Sequence, residues 1–199
     1  MGYTAKNRIT EKIRKKLSER CGFSLGELLV ATIIILLASQ VLTQGMAFAT
    51  RMYNESLERS HGKQLCSTLT NVIETELRYT TTITIDDGGN LTKYFSPVYG
   101  KTQSSFLAID RKGAPVVDTA GGELAIQIID ESDDLVWQKL ISSASYSSFN
   151  LKAKIGSVKF DAGHNTFRVT LQVTDKNGNN LVTNNFDVIP VNELKINKD

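Results

Sequence analysis

The chain has 199 residues and a formal net charge of +2, and 41% of its residues are hydrophobic. This length is enough for one ordinary domain with an appendage. The charge is divided unevenly, because residues 1–22 carry seven basic and two acidic side chains, whereas residues 23–199 carry sixteen basic and nineteen acidic ones. A leader of net charge +5 before a remainder of −3 is typical of a membrane-topology signal, and it gives no direct indication of nucleic-acid binding.

A long apolar segment follows the basic leader. Leu28–Ala49 has no charged residue between Glu27 and Arg51. As a helix it would be about 33 Å long, which is enough to cross the hydrocarbon of a bilayer. The basic leader predicts that the N-terminus lies in the cytoplasm and that the C-terminal remainder lies outside. We therefore predict a single-pass membrane segment.

The helix is expected to continue beyond the membrane segment. The first proline is Pro97, so nothing in the sequence interrupts a helix from Phe23 to about Thr80. Gly45 and Gly62 are the two positions where it could bend or melt. Apolar residues recur at helical spacing and predict a stripe that packs on the rest of the domain, namely Tyr53, Leu57, Leu65, Leu69, Val72, Ile73 and Leu77. Charged residues between them predict a polar face, namely Arg51, Glu55, Glu58, Arg59, Lys63, Glu74 and Glu76.

Short β-type runs separated by turn residues follow Thr80. The predicted strands are Thr80–Ile85, Leu91–Ser96, Ser105–Asp110, Glu123–Ile129, Leu135–Ile141, Ser157–Asp161, Thr166–Thr174 and Leu181–Ile189, the last two forming a hairpin around Asn177-Gly178. We expect Trp137 in the core, and packing rather than exposure for Tyr146 and Phe149. The predicted class is α+β, a long N-terminal helix whose second half packs on an antiparallel sheet. The predicted organisation is a leader (1–22), a transmembrane helix (23–50), an amphipathic helix (51–80) and a β-rich head (81–199).

One short motif connects the leader to the apolar segment: Gly22-Phe23-Ser24-Leu25-Gly26-Glu27-Leu28-Leu29. It closely resembles the processing signal of type IV prepilins and type II secretion pseudopilins. The resemblance implies that a prepilin peptidase cleaves between Gly22 and Phe23 and methylates the new N-terminal amine of Phe23. It also implies that Glu27 meets the N-terminal amine of a neighbouring subunit. The chain departs from the family at Gly26, where a branched aliphatic residue is usual.

The resemblance has further implications for the whole chain. It implies a pilin-like fold and a structural, non-enzymatic subunit without a cofactor. The head lacks the cysteine pair of many major pilins, which favours a minor pilin or a pseudopilin. The implied partners are other pilin or pseudopilin subunits, a prepilin peptidase, a membrane assembly platform and, before assembly, the lipid bilayer. The implied location is the bacterial cytoplasmic membrane with the head outside, followed by an extracytoplasmic filament.

Several simpler interpretations compete with this one. Ser24 and Glu27 fit a capping box at the start of any helix. Gly22-Phe23-Ser24-Leu25-Gly26 also matches the nucleophile-elbow pattern of hydrolases, but that pattern requires a preceding strand. Ala47-Phe48-Ala49 satisfies the rule for ordinary signal-peptide cleavage, which would release a protein that begins at Thr50. The alternative function is therefore an extracellular binding domain, secreted or membrane-anchored, that does not polymerise.

The remaining chemistry-bearing residues have ordinary explanations. The carboxylates of Asp130, Asp133 and Asp134 form one candidate calcium loop, and the segment from Asp175 to Asn179 forms another. The second loop lacks the closing glutamate of an EF-hand, and hairpin turn chemistry explains it without metal. Cys66 is predicted to be a small apolar residue packed under the head, because Cys21 in the leader is on the other side of the membrane. His61 and His164 have no recognisable catalytic partner motif.

Overall fold

The computed structural model of the chain describes residues 24–96, 98–116, 121–129 and 135–199, without the side chains of residues 101–104, 129 and 135. The chain divides into two units, Met1–Tyr53 and Asn54–Asp199. The second unit is called the head unit below. The leader (1–22) and Phe23 lie outside the described residues, as do Asp130, Asp133 and Asp134.

Helix α1 comprises Leu25–Arg78, in agreement with the predicted helix. Gly45 and Gly62 are both helical, so neither interrupts it. The C-terminal end of α1 is closed by a segment near the end of the chain. The backbone N–H of Val191 donates to the carbonyl oxygen of Arg78 at 2.8 Å. Because the last carbonyls of a helix have no partner within the helix, this contact satisfies one of them.

The buried face of α1 is confined to the head unit. Its buried residues are three and four positions apart, as one face of a helix requires, and they are Gly62, Leu65, Cys66, Leu69, Ile73, Glu76 and Leu77. The predicted stripe is confirmed for four of its seven members, Leu65, Leu69, Ile73 and Leu77, and Leu57 and Val72 are half-buried. It is wrong for Tyr53, which is exposed. The prediction that Glu76 lies on the polar face is also wrong.

The head unit contains ten strands and one short helix among the described residues. They are β1 (Thr82–Ile85), β2 (Leu91–Ser96), β3 (Lys101–Ser104), β4 (Leu107–Ile109), β5 (Glu123–Ile129), β6 (Leu135–Lys139), α2 (Ala144–Ser147), β7 (Lys152–Asp161), β8 (Thr166–Thr174), β9 (Asn180–Val188) and β10 (Lys195–Lys198). They form three sheets, with the strand orders β10-β1-β2-β3, β4-β5-β6 and β7-β8-β9. The predicted hairpin is β8–β9, and the α+β class is confirmed.

The strand predictions are wrong in three places. The strand predicted at Ser157–Asp161 begins five residues earlier, at Lys152. Strand β7 continues through Gly156, where the pairing with β8 has an irregularity between Ile155 and Ser157. Strands β3 and β10 are absent from the prediction, since neither has an alternating apolar pattern. The expected sheet is antiparallel throughout, but β10 pairs with β1 in parallel. Strand β10 is mostly polar and is held by hydrogen bonds to the backbone of β1. Its own sequence therefore does not indicate that it forms a strand.

The core of the head unit lies between α1 and the strands. Buried side chains alternate along strand β8, with Phe167, Val169, Leu171 and Val173 fully buried. Near Gly62 the helix approaches β9 closely, because a Cβ added there would lie 3.4 Å from Leu181 Cδ1. The second half of α1 therefore packs on an antiparallel sheet, as expected.

The aromatic predictions have mixed outcomes. Tyr146 is buried, with 1% exposed, and Phe149 is half-buried against the core; packing is confirmed for both. Trp137 is only half-buried, so its expected place in the core is wrong. It lies on β6, an edge strand of its sheet, next to Val136, which is exposed. An edge strand has less cover than a central one, which explains the partial exposure of Trp137.

Candidate functional site: the start of helix α1

The first turn of α1 is closed by two reciprocal hydrogen bonds. The backbone N–H of Ser24 donates to Glu27 Oε2 at 3.1 Å, and the backbone N–H of Glu27 donates to Ser24 Oγ at 3.4 Å. The first helical hydrogen bond follows, from Leu28 N–H to the carbonyl oxygen of Ser24 at 3.1 Å. This arrangement is a capping box. The predicted capping role of Ser24 and Glu27 is therefore confirmed.

The capping geometry also limits what Glu27 can do. Its carboxylate reaches back to the amide of Ser24, the residue that follows Phe23 in the sequence. Both Ser24 and Glu27 are exposed, so the carboxylate is accessible to another molecule as well. Gly22 and Phe23, the other two predicted site residues, lie outside the described residues. Adding a Cβ at Gly26 would bring it 3.4 Å from Ser24 Oγ, an ordinary contact.

The segment after Glu27 has no partner for its apolar side chains among the described residues. Fifteen large hydrophobic side chains from Leu25 to Tyr53 are each 47–85% exposed. An 18-residue window of the helix has a mean hydropathy of 2.2, and none of it is buried. The helix is thus long and apolar enough to span a membrane. Contiguous apolar exposure on this scale is unusual for a surface in water.

The hydroxyl groups of this segment are satisfied within the helix. Thr32 Oγ1 donates to the carbonyl oxygen of Leu29, and Ser39 Oγ to that of Leu36, each at 2.8 Å. Thr43 bonds to Ser39 in the same way at 2.8 Å. A polar group in hydrocarbon is costly unless it is hydrogen-bonded. These hydroxyl groups therefore add less to the free-energy cost of placing the segment in hydrocarbon than unpaired hydroxyl groups would.

Glu76 is a buried carboxylate that the sequence analysis did not identify. It is 3% exposed, and its Oε2 accepts hydrogen bonds from Ser96 Oγ at 2.7 Å and Tyr94 Oη at 3.3 Å. Burial raises the pKa of Glu76, and these two hydrogen bonds partly oppose the rise. The spacing carries a signal for its burial, since Glu76 is three residues after Ile73 and seven after Leu69.

The loop from Asp175 to Asn179 is a hydrogen-bonded turn. Asp175 Oδ1 accepts the backbone N–H groups of Asn177 and Asn179, each at 2.8 Å. Its Oδ2 accepts Asn179 Nδ2 at 2.8 Å. These bonds to the carboxylate lower the pKa of Asp175 against the opposing effect of its burial. Turn chemistry thus accounts for this candidate calcium loop. In the described part of the chain, no three His, Cys, Asp or Glu side chains are grouped so that they could hold a metal.

The cysteine and the histidines lie in the head unit. Cys66 is 3% exposed within the core, which confirms its predicted packing role, and burial raises the pKa of its thiol. His61 contacts the ring of Phe149 at a centroid distance of 4.9 Å. His164 Nδ1 lies 2.9 Å from Asp161 Oδ2 in the exposed turn between β7 and β8.

No family model matches the chain, and no curated protein or solved structure matches it. The functional assignment consequently depends on the residues and the geometry described above.

Proposed function

We propose that the chain is a minor pilin or pseudopilin, a structural subunit of a type IV pilus-like filament that is assembled from the bacterial cytoplasmic membrane. The observation that carries this proposal is the first half of α1. It is a capped helix with one carboxylate in its first turn and an exposed apolar surface over the following 22 residues, after a leader of net charge +5. A surface helix of an ordinary soluble domain does not require this combination of features.

The proposed assembly follows from the cost of Glu27 near hydrocarbon. A charged side chain costs roughly 2.5–3.5 kcal/mol at the centre of a membrane helix on insertion scales, and less at the end of the helix, where Glu27 lies. The N-terminal amine of a neighbouring subunit, exposed by cleavage after Gly22, would offset part of that cost by pairing with Glu27. The same step would bury the apolar surfaces of neighbouring helices against each other. Phe23, Glu27 and the apolar segment would therefore act together in docking.

The head unit supports the same proposal at a coarser level. An α+β domain whose helix packs on an antiparallel sheet is the arrangement that the resemblance implies. The proposed location before assembly is a single pass through the cytoplasmic membrane with the head outside, since the basic leader would stay in the cytoplasm. The proposed partners are other subunits of the filament, the prepilin peptidase and the assembly platform.

A substitution at Glu27 tests the docking role. We expect Glu27→Gln to leave the chain in the membrane fraction and to reduce its incorporation into filaments at least tenfold, because Gln keeps a capping oxygen and loses the charge. Glu55→Gln is the matched control, since Glu55 is exposed on the same helix beyond the apolar segment; it should incorporate normally. Normal incorporation of the Glu27→Gln subunit would contradict the charge pairing.

The second candidate function is a secreted or anchored binding domain that does not polymerise. The boundary between the two units supports this second candidate, because the head unit begins at Asn54. Ordinary signal-peptide cleavage after Ala49 would release the whole of that unit. The two candidates predict different mature N-termini, Phe23 for the filament subunit and Thr50 for the secreted domain.

A further inference from the structure

The turn between β8 and β9 contains a pair of residues that can react with each other. Asn177-Gly178 is the one place in the sequence where a glycine follows an asparagine. Both residues are exposed, and Gly178 has a φ of +88°, a backbone conformation that favours glycine because it has no Cβ. A glycine also leaves its backbone nitrogen open to the side-chain amide of the residue before it. The pair therefore has the access and the small neighbour that deamidation of an asparagine requires.

The reaction proceeds in two steps and consumes only water. The backbone nitrogen of Gly178 loses its proton and attacks Cγ of Asn177. The new bond between this nitrogen and Cγ closes a succinimide ring, and the side-chain nitrogen of Asn177 leaves as ammonia. Water then opens the ring at either of its two carbonyl carbons, which gives an aspartate or an isoaspartate. In both products a carboxylate replaces a neutral amide.

Hydrogen bonds to Asp175 hold the turn in a shape that opposes this attack. The N–H of Gly178, which must be freed for the reaction, donates to the backbone carbonyl oxygen of Asp175 at 3.1 Å. Asp175 Oδ1 accepts the backbone N–H groups of Asn177 and Asn179, each at 2.8 Å, and its Oδ2 accepts Asn179 Nδ2 at 2.8 Å. Hydrogen bonds to a charged acceptor are stronger than those between neutral groups. The turn must therefore open locally before the nitrogen of Gly178 can react.

We propose that Asn177 is a deamidation site and that the carboxylate of Asp175 sets its rate by keeping the β8–β9 turn closed. The product changes the turn that held it. An isoaspartate at position 177 adds one atom to the main chain between Asp175 and Asn179, so the spacing of their hydrogen bonds is lost. The site belongs to the head unit and does not depend on whether the chain enters a filament.

Incubation of the full chain in detergent micelles at mildly alkaline pH, followed by peptide mass spectrometry, measures the conversion of Asn177. We expect a blocked synthetic peptide of residues 174–180 to convert at least about tenfold faster than the folded chain, because the peptide has no fixed turn. Asn177→Gln should abolish the conversion, since its longer side chain does not form the five-membered ring. Equal rates in the peptide and the folded chain, or conversion of other asparagines in preference to Asn177, would overturn the proposal.

Substitutions around the turn test the role of Asp175. Asp175→Ala should speed the conversion at least about tenfold, because the bonds to its carboxylate are lost. Asp86→Ala is the matched control in the β1–β2 turn, where the carboxylate of Asp86 accepts the backbone N–H of Asn90 at 2.7 Å and Asn90 Nδ2 at 2.8 Å. It lies in a separate turn and should change the conversion of Asn177 by less than about twofold.

A milder variant covers the case in which Asp175→Ala unfolds the head unit. Asn179 is exposed, and Asn179→Ala removes only the hydrogen bond to Asp175 Oδ2. We expect it to speed the conversion by about threefold while the head unit stays folded. An unchanged rate in Asn179→Ala, or equal acceleration by Asp86→Ala and Asp175→Ala, would contradict the control of the site by Asp175.

Discussion

Leu36 and Leu69 lie in the same helix, but Leu36 is 62% exposed and Leu69 is fully buried. The first half of α1 presents apolar side chains in all directions, whereas the second half presents them on one stripe. A helix that is apolar all round requires an apolar environment, and a striped helix requires only one packed face. The two halves therefore share a backbone conformation but depend on different surroundings.

The largest expected effect concerns the core. Leu69→Ala should lower the free energy of unfolding of the head unit by about 2–5 kcal/mol, because it leaves a cavity in a fully buried position. Leu36→Ala, the matched change in the first half, should alter it by less than about 0.5 kcal/mol. Denaturant unfolding of the full chain in micelles, followed by the fluorescence of Trp137, measures both. Similar losses from the two variants would contradict the division of the helix.

A charge placed in the first half of α1 is expected to impair membrane insertion, whereas the same charge in the head unit is not. Leu36→Arg should raise the free energy of membrane insertion by about 2.5–3.5 kcal/mol. Extraction of membranes at alkaline pH measures the fraction of inserted chain. The control is Val136→Arg, an exposed position of the head unit, which should insert as the unaltered chain does. Full retention of the Leu36→Arg chain in the membrane would argue against a spanning role.

The two helical glycines allow an intermediate test. Gly62 is buried against Leu181 and Val182, whereas a Cβ added at Gly45 would meet no described atom within 4 Å outside the nearby backbone of its own helix. Gly62→Leu should therefore destabilise the head unit by about 1–3 kcal/mol through overpacking. Gly45→Leu should leave its unfolding unchanged. The comparison fails if thermal unfolding of the two variants is the same.

The smallest effect is expected at Glu76 and depends on pH. Because the pKa of Glu76 is raised in the folded chain above its ordinary value of 4.5, the folded state holds its proton more tightly than the unfolded state. Its contribution to stability is present below pH 4.5 and is lost as pH rises through the folded-state pKa. Glu76→Gln should therefore be more stable than the unaltered chain at pH 7.

The difference between the two chains should shrink towards a constant value below pH 4.5. Unfolding of the Glu76→Gln chain and of the unaltered chain, measured at several pH values, tests this. Glu76 accepts hydrogen bonds from the hydroxyls of Tyr94 and Ser96, Tyr99 also lies near it, and no described basic residue forms an ion pair with it. A difference that stays the same from pH 4 to pH 7 would contradict the raised pKa.

Sequence reasoning succeeded where periodicity and local chemistry determine the structure. The capping box at Ser24 and Glu27, the stripe through Leu69 and the alternation of β8 are all visible in the order of residues. It failed where partners distant in sequence decide the outcome. β10 is a strand because the backbone of β1 pairs with it, and Glu76 is buried because Ser96 and Tyr94 provide hydroxyl donors.

Local chemistry was sufficient at the candidate site but not at the β8–β9 turn. Glu27 could be placed at the start of α1 from sequence, because its capping partner is three residues away. The role of Asp175 could not be decided in the same way, since a carboxylate in a loop can either coordinate a cation or accept N–H groups. The structure shows that Asn177 and Asn179 occupy it.

The central claim is that Gly22, Phe23 and Glu27 form a processing and docking signal. The most direct measurement is the N-terminal sequence and intact mass of the chain isolated from the membranes of cells that contain a prepilin peptidase. We expect an N-terminus at Phe23 that carries one added methyl group. An N-terminus at Thr50 would instead support the secreted domain, and an intact Met1 would support a permanent anchor; either would contradict the proposed function.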